Sequence, residues 1–74
     1  MIGDDIRVAL ISETLDATSP IRRRAARIIL DLLRSEPMLQ LADRHIATIR
    51  EKAGASVAAE AQGLLRRFGA FGNE

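Results

Sequence analysis

The sequence predicts an all-α fold of four helices in an antiparallel arrangement, and three observations carry that expectation. Strand formers are scarce: the 74 residues hold two Val and two Phe and no Tyr or Trp. Ala, Leu, Ile, Arg and Glu dominate, and apolar positions recur at helical spacing along nearly the whole chain. Pro, Gly and Ser then cut that periodic pattern into four segments joined by only a few residues, which favours antiparallel neighbours.

The first helix runs from about Asp5 to Ala17, with Asp4 or Asp5 expected as its N-cap. Ile6, Val8, Leu10, Ile11 and Leu15 cover a wide arc of it, so two neighbouring helices are expected to share its surface. The second helix has the clearest start. Ser19 is suited to cap it, and Pro20 fits the first helical position, where a missing N–H costs nothing. Its expected core stripe is Ile21, Ala25, Ile28, Ile29 and Leu32, widened by Ala26, Leu30 and Leu33, which marks it as the most central of the four.

Ser35, Glu36 and Pro37 end that helix, and Pro37 is expected near the first position of the third. Met38, Leu41, Ala42, His45, Ile46 and Ile49 form its apolar face, and Gly54 closes it as a left-handed cap. Ser56 is expected to cap the fourth helix, whose stripe is Val57, Ala61, Leu64, Leu65 and Phe68, with Gly69 at its end and residues 70–74 as a short tail. The chain thus reads as one domain over 1–74, made of one hairpin over about 4–35 and a second over about 37–69.

Composition excludes several classes of function. A chain this short is a single small domain. Lys and Arg number 11 against 10 Asp and Glu, so the formal charge of +1 does not nominate nucleic acid by itself. Cysteine is absent, which removes disulfides, thiolate metal sites and thiol catalysis. Apolar runs stop at three or four residues, so no membrane span is expected. Asp4 and Asp5 stand where a signal peptide needs Lys or Arg, and the expected location is the cytoplasm.

A shift of 36 residues lays the second helix on the fourth. Ile21 meets Val57, Ala25 meets Ala61, Ile28 meets Leu64, Ile29 meets Leu65 and Leu32 meets Phe68. The alternative to a true repeat is that any two amphipathic helices agree once slid into register. The stretch Ser19-Pro20-Ile21-Arg22-Arg23-Arg24-Ala25-Ala26-Arg27 resembles the second helix of a HEAT-like repeat. Gly54 to Ala61 resembles a second copy, with Ala58 standing where the Arg of the pattern falls. The resemblance implies two stacked αα-hairpins whose second helices line a binding face. It also implies that Arg22 lies along the first hairpin's seam, where Asp16 or Glu13 is within its reach.

Sites for chemistry are few. His45 has Leu41, Ala42, Thr48 and Ile49 as its helical neighbours, none of them a metal ligand, and no second His exists. Carboxylates are spread along the chain, with Asp31 spaced to pair with Arg27 and Arg34 on a solvated face. No catalytic, cofactor or metal site is expected, and the chain is not read as an enzyme.

The Arg residues carry the information. Arg22, Arg23 and Arg24 occupy the opening turns of the second helix, where the macrodipole disfavours a cation by about 0.3–1 kcal/mol at low salt. A local rule broken in this way points to a partner. Arg23, Arg27 and Arg34, with Leu30 as an apolar contact and Arg66 and Arg67 on the fourth helix, form the expected partner-binding surface. The expected function is a non-enzymatic protein-interaction module facing an acidic protein surface. A nucleic-acid-binding subunit using the same Arg face and a structural homo-oligomer burying its unfinished ends are the alternatives.

Overall fold

The computed structural model describes residues 3–37 and 40–68. Four helices follow in chain order: α1 (Asp4–Asp16), α2 (Pro20–Ser35), α3 (Asp43–Ala53) and α4 (Ala55–Arg67). No strand occurs among the described residues. The connections are short: Ala17–Ser19 between α1 and α2, and Gly54 alone between α3 and α4. Helices joined this tightly pack side by side only by reversing direction. Here α1 packs on α2, α3 on α4, and α2 on α4. Among the described residues no other pair of helices approaches closely. The order across the molecule is therefore α1–α2–α4–α3, with α2 and α4 at the centre.

Local chemistry explains each boundary. Ser19 Oγ accepts from the backbone N–H of Arg22 at 3.3 Å, and Pro20 occupies the first turn, as the sequence predicts. α1 begins one residue earlier than expected. Its N-cap is Gly3, with no side-chain cap, so Asp4 and Asp5 sit inside the first turn and act through their charge on the macrodipole.

α3 starts later than the sequence suggests, at Asp43 rather than beside Pro37. Proline opens turns as readily as it opens helices, and here it does the former. The expected helical residue Met38 lies outside the described residues. Leu41 reaches the core from non-helical chain and is only 1% exposed. The carbonyl of Pro37 accepts from Arg7 Nη2 at 3.1 Å, which ties α1 to this connection.

α4 is not capped by Ser56, which lies exposed inside the helix. Gly54 serves as the last cap of α3 and the first of α4 at once. Its N–H donates to Arg50 O at 3.0 Å and its carbonyl accepts from Ala58 N at 3.1 Å. The backbone there takes φ 97° and ψ 165°. The positive φ was expected, but the ψ lies well outside the left-handed helical region, in territory almost restricted to glycine. The expected end of α4 at Gly69 falls outside the described residues, as do 70–74.

The core draws on all four helices and on the chain before α3: Leu10, Ile29, Leu33, Leu41 and Leu65 are its largest fully buried side chains, and α3 adds Ile46 and Ile49. The buried stripe of α2 is rotated from the expected one. Ala25, Ala26, Ile29 and Leu33 are buried, Ile28 and Leu32 are only partly so, and Ile21 is 43% exposed. On α4 the expected stripe is buried from Val57 to Leu65, with Ala58 added and Phe68 packed at the edge. The larger departure is on α1, which packs on one helix rather than two. Leu10 is buried, but Val8, Ile11 and Leu15 face outward.

Two glycines make opposite tests of this geometry, since a Cβ placed on either meets no atom within 4 Å. Gly54→Ala should lower stability by about 1–3 kcal/mol, the torsional cost of that backbone region alone. Gly63→Ala, inside α4, should raise it by about 0.5–1 kcal/mol. Chemical denaturation of the two variants beside the wild type reads both.

Candidate functional site

On a helix of about 100° per residue, Arg23, Arg27, Leu30 and Arg34 fall within an arc of about 60° along one flank of α2. The three Arg side chains are exposed and Leu30 is half-buried at the edge of the core. This part of the expected surface is a real stripe. Arg66 and Arg67 are exposed on α4, the neighbour of α2, but adjacent residues diverge by about 100°. The two therefore do not extend one surface together.

The ionic structure differs from the expected pattern. Among the described residues the only ion pair joins Arg22 and Glu13, across the α1–α2 seam. Nη2 donates to Glu13 Oε1 at 3.0 Å, and Nε lies 2.9 Å from Oε2. The Nε–H points off the line to that oxygen, so the formed hydrogen bond is the one at Nη2 while Nε is held by charge. Of the two acidic partners weighed for Arg22, the geometry selects Glu13; Asp16 instead accepts a long bond from Ser12 Oγ at 3.4 Å. The expected pairs of Asp31 with Arg27 and Arg34 do not form. All three groups are exposed, and fixing two long side chains there costs about what the screened attraction returns.

The opening turns of α2 thus hold three guanidiniums at the positive end of a helix dipole, and one of them has a carboxylate. Arg23 and Arg24 have none among the described residues.

The other flank of α2 forms a second feature, which sequence reasoning missed. Arg24, Ile28 and Leu32 face α3 across an open groove of about 290 Å³, whose far wall includes Ile49, Lys52 and Ala53. The groove has an apolar lining with two cations and no carboxylate. Two further polar atoms of its lining residues are engaged locally. Thr48 Oγ1 donates to Arg44 O at 3.1 Å, and His45 Nδ1 accepts from the backbone N–H of Ala42 at 3.0 Å. His45 therefore stands in the position of the reciprocal residue of a capping box, closing the first turn of α3. That role explains a lone histidine at a core edge without a ligand. The helical spacing of Arg24, Ile28 and Leu32 was readable, but the fact that α3 stands away from them was not.

Among the described residues no three His, Asp or Glu side chains come together to hold a metal ion, and no helix is long and apolar enough to cross a membrane. Comparison of the chain with family models, with curated proteins and with solved structures gives no match.

The seam pair and the cap are separately testable. Glu13→Gln should destabilise the fold by about 1–2 kcal/mol, because it leaves a partly buried guanidinium without its counter-charge. Arg22→Met combined with Glu13→Gln should recover part of that loss, a coupling that a double-mutant cycle by thermal denaturation would measure. His45→Ala should cost about 0.5–2 kcal/mol through the lost cap, and His45→Gln less.

Proposed function

We propose that this chain is a non-enzymatic protein-interaction module of the cytoplasm that presents α2 to an acidic surface on another protein. The observation that supports the reading is the run of unpaired guanidiniums on the Arg23–Arg34 flank, three cations with Asp31 as the one acid of the helix. Arg23, Arg27 and Arg34 are exposed, share one stripe, and make no ion pair among the described residues. An acidic partner would relieve both their mutual repulsion and, at Arg23, the unfavourable helix dipole. Arg is suited to the task because its planar fork pairs with carboxylates in two-point contacts, and half-buried Leu30 supplies an apolar centre within the same stripe. Of Arg66 and Arg67 on the adjoining helix, which lie on different sides of α4, only the one on the side next to this stripe belongs to its rim in the proposal.

Phosphates are the other anions that guanidiniums recognise, so nucleic acid is the competing occupant of the same stripe. The net charge of +1 favours the protein reading, because phosphate-dominated binding draws on a strongly basic domain.

Fluorescence anisotropy with two labelled probes, a Glu/Leu-rich peptide and a mixed-sequence DNA duplex, separates the two. The expected outcome is that the peptide binds, and that the triple variant Arg23→Ala, Arg27→Ala, Arg34→Ala weakens it at least tenfold while circular dichroism shows the helices intact. Unchanged affinity in the triple variant would sink the proposal. Preferential binding of the duplex with a steep fall in salt would replace it with the nucleic-acid reading.

A further inference from the structure

Two features lie outside the Arg23–Arg34 flank and fit each other. The first is the outer face of α1. Val8 is 65% exposed, Ile11 47% and Leu15 71%, and their spacing of three and four residues makes a continuous apolar ridge. Asp4, Asp5 and Asp16 are exposed and lie within about 80° of Val8 around the helix, so the ridge is edged by acid at both ends. Arg7, the one base of α1, borders the ridge about 40° from Ile11, but its guanidinium is engaged with the carbonyl of Pro37. The second feature is the α2–α3 groove, apolar along its length, carrying Arg24 and Lys52 and no carboxylate.

Dimensions match as well as chemistry. From Val8 to Leu15 the ridge runs about 10 Å, and from Arg24 to Leu32 the groove wall runs about 12 Å. Ridge and groove sit on different elements of the same chain. One copy cannot fill its own groove with α1, because α1 packs on α2 through its Leu10 face and does not approach α3.

We infer that the chain associates head to tail with itself, the Val8–Ile11–Leu15 ridge of one copy seating in the α2–α3 groove of the next. Asp4, Asp5 and Asp16 of the incoming helix meet Arg24 and Lys52 of the receiving copy, which sets the register that apolar contact alone would leave loose. The interface is heterologous, so each copy added leaves one free ridge and one free groove. A single 13-residue helix is about 20 Å long. One such contact buries less than the roughly 1,200–2,000 Å² of a stable complex, so association is weak and rises with concentration. This inference does not rest on the Arg23–Arg34 surface, whose residues take no part in lining the groove.

Sedimentation velocity and light scattering on the full chain, from about 10 µM to about 1 mM, test it. The weight-average mass should climb steadily from 8.1 kDa with concentration. Two variants then separate this geometry from any symmetric dimer. Val8→Gln with Leu15→Gln removes the ridge and keeps the groove; Arg24→Glu with Lys52→Glu removes the groove's cations and keeps the ridge. All four positions are exposed, and circular dichroism checks that the helices persist. Each variant alone should remain monomeric, and an equimolar mixture should form a 1:1 complex that grows no further. A wild type that stays at one chain throughout overturns the inference. So does a groove variant that still self-associates, which would mean a symmetric ridge-to-ridge contact, and so does a mixture that gives no complex.

Discussion

Close approach of α2 and α4 is the constraint on which the rest of the molecule depends. Four alanines, Ala25 and Ala26 on α2 and Ala58 and Ala61 on α4, are wholly excluded from solvent. So small a side chain is fully covered only where its neighbours close over it from every side, and all four lie on the two central helices, which pack on each other. Such a seam buries little apolar area of its own. The area comes from the larger side chains around it: Ile29 and Leu33 from α2, Leu65 from α4, Leu10 from α1 and Leu41 from the chain before α3. Any bulkier residue at one of the four alanines would part the helices and loosen every one of those contacts.

The same arrangement decides where charge is tolerated. Arg22 lies at the edge of the seam between α1 and α2, where partial burial makes an unpaired guanidinium costly, and it is the one that has a carboxylate. Its neighbours Arg23 and Arg24 project to opposite flanks of α2, one into the Arg stripe and one into the groove. Three consecutive residues of one type thus serve three separate surfaces. Their shared position at the helix start is unfavourable for all three, and the chain relieves it internally for one.

The fold class and the centrality of α2 were legible in the sequence, and so were the Ser19–Pro20 start, the positive φ at Gly54 and the reach of Arg22 to Glu13. These depend on periodicity and on chemistry within a few residues, which sequence displays directly. The start of α3 was misread because Pro37 opens a turn and a helix with the same fixed φ. Ser56 was misread because Gly54 joins two helices in one residue, leaving no room for a separate cap. The exposed ridge on α1 and the groove beside α3 were hidden for a different reason. Apolar spacing says which residues can be buried, whereas burial itself is set by how many neighbours the topology supplies. The stripe Arg23, Arg27, Leu30 and Arg34 was readable because it lies on one helix, and the divergence of Arg66 from Arg67 follows from the helical turn between them.

That difference between burial capacity and actual burial comes from the order of contacts. A closed four-helix bundle gives every helix two neighbours. Here the order α1–α2–α4–α3 is open, so α1 and α3 each pack on one helix among the described residues. An open array needs a polar outer face at its ends to stay in solution as single copies. α1 has carboxylates on that face but sets Val8, Ile11 and Leu15 between them. At the other end α3 stands away from α2 and leaves Ile28, Leu32 and Ile49 lining a groove. Each end is therefore incomplete in a complementary sense, one convex and acidic, the other concave and basic. A chain of net charge +1 can have near-zero overall charge and still carry strong local fields, because its acids and bases are sorted onto different helices. The second helix illustrates the sorting: α2 carries five Arg and a single acid, Asp31, whereas α1 carries four acids and a single base.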